Sequence, residues 1–433
     1  MCERPAVGKA IAEEERDCDA GATVVQCLVT GRLDRLARLH PSIKGVHGGK
    51  PSGANLVSFN LDAFTSFGWE QGGNAPVGER AAHAYVAALN RLLDRDNDRH
   101  RLVQGDTTFV FWAAAPRPME ARFGHLLGGL LEAPVESDGA PVRQTLEAVR
   151  RGLAPDLSDQ TPFYVLGIAP NAARLAVRFW HEGTVAGMAR RILEHFADLD
   201  IAGMNAVPSL WALMGAAAID GDPKRLQDNL RGKLAAEVMR AVLTGRPYPA
   251  TLLARAVERS RCERTVRPVR AALVKAVLNR RIRSLGSTER EVTVSLDPDN
   301  TNPGYRLGRL FAVLEGIQRS AQPGINTTIR DRYFAAAVAT PRAVFAALMG
   351  LKNAHLKKLR RSKAALAGYF ENLIDEIVSG LPADGGFPAH LSLDDQGRFI
   401  VGYHHQRSHR WAAAASDDET VAKPDAESQS ETD

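Results

Sequence analysis

The chain has 433 residues, 45% hydrophobic and 24% charged, enough for roughly two or three domains of about 150 residues each. Its 55 basic and 50 acidic residues leave a net charge of +5, which excludes a strongly acidic binder. That charge is unevenly spread: residues 417–433 hold seven acids against Lys423, a net −6, so residues 1–416 carry +11. The four cysteines (Cys2, Cys18, Cys27, Cys262) form no CxxC pair, which argues against a disulfide framework or a structural zinc and for a reducing, cytoplasmic setting. The N-terminus is too charged for a signal peptide. The longest uncharged stretch, Ile201–Ile219, contains Gly203, Asn205 and Pro208 and reads as a loop and a buried helix, not a membrane span.

The first two dozen residues are charged and rich in Ala and Gly, without apolar periodicity. An apolar patch, CLVTG at 27–31, is followed by the Gly-rich loop KGVHGGKPSGAN. In LVSFNLDAF, Val57, Phe59 and Leu61 alternate with Ser58, Asn60 and Asp62, a period that predicts a strand. Ala81, Tyr85, Ala88 and Leu92 then form a helical stripe. Strands are predicted at Thr107–Ala113, Phe163–Ile168 and Leu175–Trp180, the last two joined as a hairpin through Ala169-Pro170-Asn171. From residue 184 helices dominate, over 184–198, 208–218, 223–244, 249–262 and 267–285. After the turn-rich SLDPDNTNPG they resume over 305–319, 327–338, 341–361 and 363–379. The chain therefore reads as α+β. Residues 1–26 form an unstructured N-terminus, 27–183 a mixed α/β body, 184–292 a helical basic region, 293–411 a helical bundle and 412–433 a disordered acidic tail.

Catalytic motifs are sparse. GxSxG, GxGxxG, GxxxxGK[ST] and HExxH are all absent. His404, His405 and His409, with His390 nearby, are the densest histidine group, but adjacent histidines on a strand face opposite ways and cannot share one ion, so we read them as packed or solvated. Asp297 and Asp299, with Asp331 downstream, read as turn and cap residues before they read as a metal-binding nuclease centre. No metal or cofactor is expected, and we read the chain as non-enzymatic.

Basic residues are the stronger signal. Residues 255–290 hold eleven bases against three acids, a net +8. The candidates for polyanion contact there are Arg255, Arg259, Arg261, Arg264, Arg267, Arg270, Lys275, Arg280, Arg281 and Arg283, nearly all arginine, which forks onto phosphate. A second run holds Lys352, Lys357, Lys358, Arg360, Arg361 and Lys363 with no acid. A solvated helix face usually interleaves acids as ion pairs; two acid-poor runs favour nucleic acid. Asn302 with Arg306, and Asn326 with Arg330, add amide and guanidinium groups near predicted helix starts, suited to phosphate or to plain capping. Among the aromatics, Trp112 and Trp180 fall in predicted strands and read as core. Trp69, in a loop with Asn60, Gln71 and Asn74 around it, is the candidate for base stacking or subunit contact.

With these residues in view, the blocks SGANLVSFNLDAFTSFGWEQGGNAPV, GDTTFVFWA, FYVLGIAPNAARLAVRFW, SLDPDNTNPGYRLGRLFAVLE, GINTTIRDRYFAAAVATP and FPAHLSLDDQGRFIVGYHHQR closely resemble, in order, the large subunit of the type I-C CRISPR surveillance complex, Cascade (the Csd family). The resemblance implies a non-catalytic subunit whose C-terminal part resembles the complex's helical small subunit. Its implied partners are the other Cascade subunits, a guide RNA, target DNA including the displaced strand, and the helicase-nuclease that it helps recruit. It also implies that the family's further N-terminal region, ahead of CLVTG, is missing here. The alternatives are a purely structural subunit contacting its siblings and the guide RNA, and a metal-dependent nuclease.

Overall fold

The structure is a computed structural model that describes residues 23–97, 99–128, 158–204, 208, 210–218, 234–382 and 386–421. The chain divides into two units, one of residues 1–112 with 165–180, the other of residues 113–164 with 181–433.

In the first unit, β1 (Val24–Gln26) and β2 (Leu33–Arg35) pair antiparallel, Val25 opposite Asp34. The expected unstructured N-terminus thus ends at a strand; residues 1–22 lie outside the described residues. The strand expected over Val57–Leu61 does not form. Asp62–Thr65 is a 3-10 turn instead, because Thr65 and Ser66 hydroxyls donate to the carbonyls of Asp62 and Ala63 at 2.7 and 2.8 Å. Such local bonds compete with a ladder. Helix α1 (Glu79–Leu92) buries Ala81, Ala82, Val86 and Leu89, so the inward face lies one position from the expected stripe, and Ala88 is exposed.

The main sheet runs β3 (Arg101–Gln104), β4 (Thr107–Ala113), β5 (Pro162–Asn171), β6 (Arg174–Thr184), each bonded to the next. β4 falls at the predicted Thr107–Ala113. Both later strands are longer than expected, and the hairpin turns at Ala172, in the left-handed region at φ 54°, not at Pro170. The unit's core joins Ile43, Val46, Val86, Leu89, Leu93, Val110 and Ile168. The Gly-rich loop belongs to that core: at Gly45, with φ 82°, a Cβ would lie 2.5 Å from the Leu93 carbonyl oxygen. Gly53 is equally tight, a Cβ there falling 2.7 Å from the Ile43 carbonyl oxygen.

The second unit is helical: α2 (Pro118–Gly128), α3 (Val185–Leu199), α4 (Leu210–Ala217), α5 (Leu234–Thr244), α6 (Ala250–Glu263), α7 (Pro268–Leu285), α8 (Pro303–Ala321), α9 (Ile329–Ala339), α10 (Pro341–Ser362), α11 (Ala364–Ser379) and α12 (Leu393–Val421). The expected helices match these to within a few residues, apart from 223–233, which lie outside the described residues. Helix α12 was not anticipated. FIVGYHH has the β-branched and aromatic look of a strand, yet Ser392 caps a helix there, its hydroxyl accepting the Asp395 N–H at 3.1 Å. The helix also runs past the expected start of the disordered tail to Val421; residues 422–433 lie outside the described residues.

Helix α8 is the unit's centre, buried at every position from Gly304 to Ile317. It meets α12 backbone to backbone. A Cβ at Gly308 would lie 2.0 Å from the Phe399 carbonyl oxygen, and one at Gly402 would lie 2.2 Å from that of Tyr305. Helices α9, α10 and α11 complete the packing around α8, while α7 packs on α3, α6 and α12. Phe311, Phe334, Phe345, Phe399 and Tyr403 fill the space between, mostly edge to face.

Candidate nucleic-acid interface

The two basic runs fold into helices with opposite surroundings. Helix α7 begins at Pro268, whose fixed φ suits a first helical position, and is buried from Arg270 through Arg280. Its cations are therefore occupied internally. The Arg270 guanidinium donates to the carbonyls of Ala216 (3.1 Å) and Thr265 (3.0 Å) and to Glu263 (2.8 Å). The Lys275 ammonium donates to the Asp198 carbonyl at 2.9 Å, and burial holds its pKa below the ordinary lysine value. Arg280 donates to the Asp198 carboxylate and the Ala241 carbonyl, both at 2.6 Å, and stands 4.5 Å over the Tyr248 ring. Beside it His195 bonds to the Tyr248 hydroxyl; burial first, then the Arg280 charge, pushes its pKa down to about 3. Arg270, Lys275 and Arg280 are corrected as candidate phosphate contacts: they hold the helix pack together.

The rest of that run is partly committed. Arg259 pairs with Glu263, Arg264 donates to the Asp331 carbonyl at 2.6 Å, Arg281 pairs with Asp394 at 2.8 Å, and Arg283 bridges Asp198 and Glu291. Arg255 and Arg261 are half-buried. Arg267, at the cap of α7, is exposed, and its side chain has no hydrogen-bond or ion-pair partner among the described residues.

Helix α10 is different. Leu356 and Leu359 face inward, while Lys357, Lys358, Arg360 and Arg361 are exposed, as is Lys363 just beyond. Arg360 pairs with Glu371 on α11, and half-buried Lys352 donates to its neighbour Asn353 at 3.3 Å. Lys357, Lys358, Arg361 and Lys363 have no ion-pair partner among the described residues. They form a solvent-facing cluster of four uncompensated cations over seven residues.

The amide candidates divide likewise. Asn302 caps α8, accepting the Tyr305 N–H at 3.1 Å and donating to Asp395 at 2.9 Å. Arg306 is buried and reaches the carbonyls of Glu376 and Ile377 at 3.2 Å; both are corrected to structural roles. Arg330 is half-buried beside Asp331 at 3.8 Å. Asn326 is exposed and unpartnered among the described residues, and Arg332, exposed, stands over the Tyr333 ring at 5.4 Å.

In the first unit Trp69 is 57% and its neighbour Phe67 90% exposed. Gln71 takes a left-handed backbone at φ 43°, its carbonyl accepting from Asn74 at 3.1 Å, while Asn60 accepts from Arg174. Trp112 is half-buried and packs against the unit's core, whereas Trp180, 50% exposed, is not a core residue; the two rings lie 5.9 Å apart. Phe67 was missed, though Phe-Gly-Trp in a loop carries the signal for an exposed aromatic pair.

His404, His405, Asp297 and Asp331 have packing or capping roles, while His390, His409 and Asp299 are exposed. His404 Nε2 lies 2.8 Å from the Ala202 carbonyl, and His405 Nδ1 lies 2.9 Å from the Tyr305 hydroxyl; burial pushes His405 down to about 3. Asp297 is buried, 3.4 Å from Arg290, and Asp331 caps α9 with Thr328. No cluster of three His, Cys, Asp or Glu side chains suited to a metal occurs among the described residues.

The described residues thus combine a mixed α+β fold with a helical bundle and a cationic surface helix, and no helix among them is long and apolar enough to cross a membrane. The chain matches the family model for CRISPR-associated protein (Cas_Csd1) over residues 1–411, and it belongs to that family. No curated protein matches it.

Proposed function

We propose that the chain is a non-catalytic subunit of a type I-C CRISPR surveillance complex that holds single-stranded nucleic acid, chiefly the displaced DNA strand, on the exposed face of α10. Membership of a CRISPR-associated family supports the setting; the four uncompensated cations Lys357, Lys358, Arg361 and Lys363 carry the strand-holding role. Opening a duplex against a guide RNA exchanges pairings of similar stability, so cations that hold the released strand bias the outcome. Exposed Arg267, Arg332 and Asn326, and Trp69 with Phe67, are further candidates for contact with target DNA or guide RNA. Sibling subunits and the helicase-nuclease complete the partners.

Binding of single-stranded DNA to the full chain, followed by anisotropy across a salt series, tests this. Reversing the four cations to Glu should abolish most binding and lower the salt slope by about 3, at roughly 0.7 per phosphate for single strands. An unchanged slope would remove α10 from the interface. A purely structural subunit is favoured by one observation, the exposed apolar side chains of the β1–β2 hairpin (Val24, Leu28, Val29, Leu33). RNase-resistant pull-down by sibling subunits, with no DNA binding, would support that reading.

A further inference from the structure

A cavity of about 150 Å³ opens on the helical unit between α8, α11 and α12. It is well below the roughly 300–1,000 Å³ of sites for drug-sized ligands, so it suits one flat ring system. Its walls are chemically mixed in a specific way. Tyr369 and Phe370 supply aromatic surface, and Tyr369 is 49% exposed, one of the few large apolar side chains left open on this unit. Ala312 and Gly316, small residues on α8, leave the space.

Polar groups line the same cavity. Gln406 is buried; its amide oxygen accepts from Arg309 Nε at 3.0 Å, while its amide nitrogen has no partner among the described residues. Arg319 spends Nε and one terminal nitrogen on the Glu315 carboxylate, at 3.2 and 3.1 Å, which leaves its other terminal nitrogen free. Arg407 stands over the Tyr403 ring at 5.4 Å and donates to the Tyr403 hydroxyl at 3.2 Å. The one acid, Glu315, is fully engaged, by Arg319, by Thr328 at 3.3 Å and by Tyr403 at 2.6 Å. An aromatic wall, an unpaired amide donor and two guanidiniums match an unpaired base carrying its phosphate.

We propose that this cavity takes one unstacked nucleobase of a single strand, stacked on Tyr369 and hydrogen-bonded by Gln406, with its phosphate held by Arg319 and Arg407. This rests on the nucleic-acid reading of the chain and adds to it a contact that reads the base, not the backbone.

The experiment compares two probes on the full chain: a short oligodeoxythymidine strand and an abasic strand of equal length, which has the same phosphates and no bases. Stacking of a base on an aromatic side chain is worth ~1–3 kcal/mol by alanine substitution, which converts to about 5- to 140-fold in affinity. The wild-type chain should favour the thymidine strand by at least about 5-fold. Tyr369→Ala should erase that preference while leaving abasic affinity and salt slope unchanged, and Tyr369→Phe should restore it. Being half exposed, Tyr369 can be replaced without unfolding the bundle, which an unchanged melting temperature confirms. Equal binding of both probes by wild type, or a preference that survives Tyr369→Ala, overturns the pocket and leaves the strand-holding reading standing. Binding of neither probe overturns both.

Discussion

Helices α7 and α10 carry similar sequence signals, yet their cations have opposite fates. In α7, Arg270, Lys275 and Arg280 are interior ties to Asp198, Glu263 and peptide carbonyls. In the last turns of α10, Lys357, Lys358 and Arg361 face water. The difference is written in the apolar residues between the charges. Helix α7 is apolar on more than one face, through Ala271, Ala272, Leu273, Val274, Ala276, Val277 and Leu278, and a helix apolar nearly all round is buried whatever else it carries. Long basic side chains then lay their stems in the core and find acceptors for their heads. The end of α10 has only Leu356 and Leu359 facing in, a single seam. Charge count alone does not separate these cases; the apolar period within the charged run does.

The largest expected effect breaks the α7 side of the comparison. Asp198→Ala removes the carboxylate that Arg280 and Arg283 share, leaving buried charge uncompensated, and should cost about 3–5 kcal/mol, measured by denaturant unfolding. Next, Gly308→Ala forces α8 away from α12 at the Phe399 carbonyl. We expect a loss of about 1–3 kcal/mol or more from overpacking, with the melting temperature falling accordingly.

A pH series sharpens the same contrast. His195 and His405 are held to about 3 by burial, against an ordinary value of 6.5. The unfolded chain therefore binds more protons between those values, so their contribution is complete above pH 6.5 and lost as pH falls below it. Each histidine should cost up to about 1.4 kcal/mol per pH unit in that window. His405→Asn should flatten the decline in melting temperature between pH 7 and 5. Substitutions at the exposed α10 cations should move stability by no more than about 0.5 kcal/mol each, although they should dominate binding.

Much of the fold was legible. Strand β4 lies at the predicted Thr107–Ala113, the β5–β6 hairpin joins the two predicted apolar runs, and α8 covers the helix predicted over 305–319. The errors have two causes, local side-chain bonds in one place and contacts distant in sequence in others. Helix α12 hides behind a strand-like FIVGYHH run and is identified by its cap, Ser392 with Asp395, and by the glycine contacts to α8. The Val57–Leu61 alternation was real, but nearby hydroxyls satisfied the backbone first. Of the candidate site, Lys357, Lys358, Arg361 and Trp69 stand exposed as the sequence implies. Arg270, Lys275, Arg280, Asn302 and Arg306 do not, because their acceptors sit on other helices. The Tyr369 cavity draws on three helices and has no signature along the chain.

The most direct test of the central claim sets two charge-reversed chains side by side in single-stranded DNA binding across a salt series. One carries Lys357, Lys358, Arg361 and Lys363→Glu; the other carries Arg281→Glu with Arg283→Glu at the end of α7. We expect the first to lose binding and to flatten the salt slope by about 3, and the second to keep the wild-type slope at a reduced melting temperature. Equal loss in both, or loss only in the second, would contradict the assignment of the strand-holding face to α10.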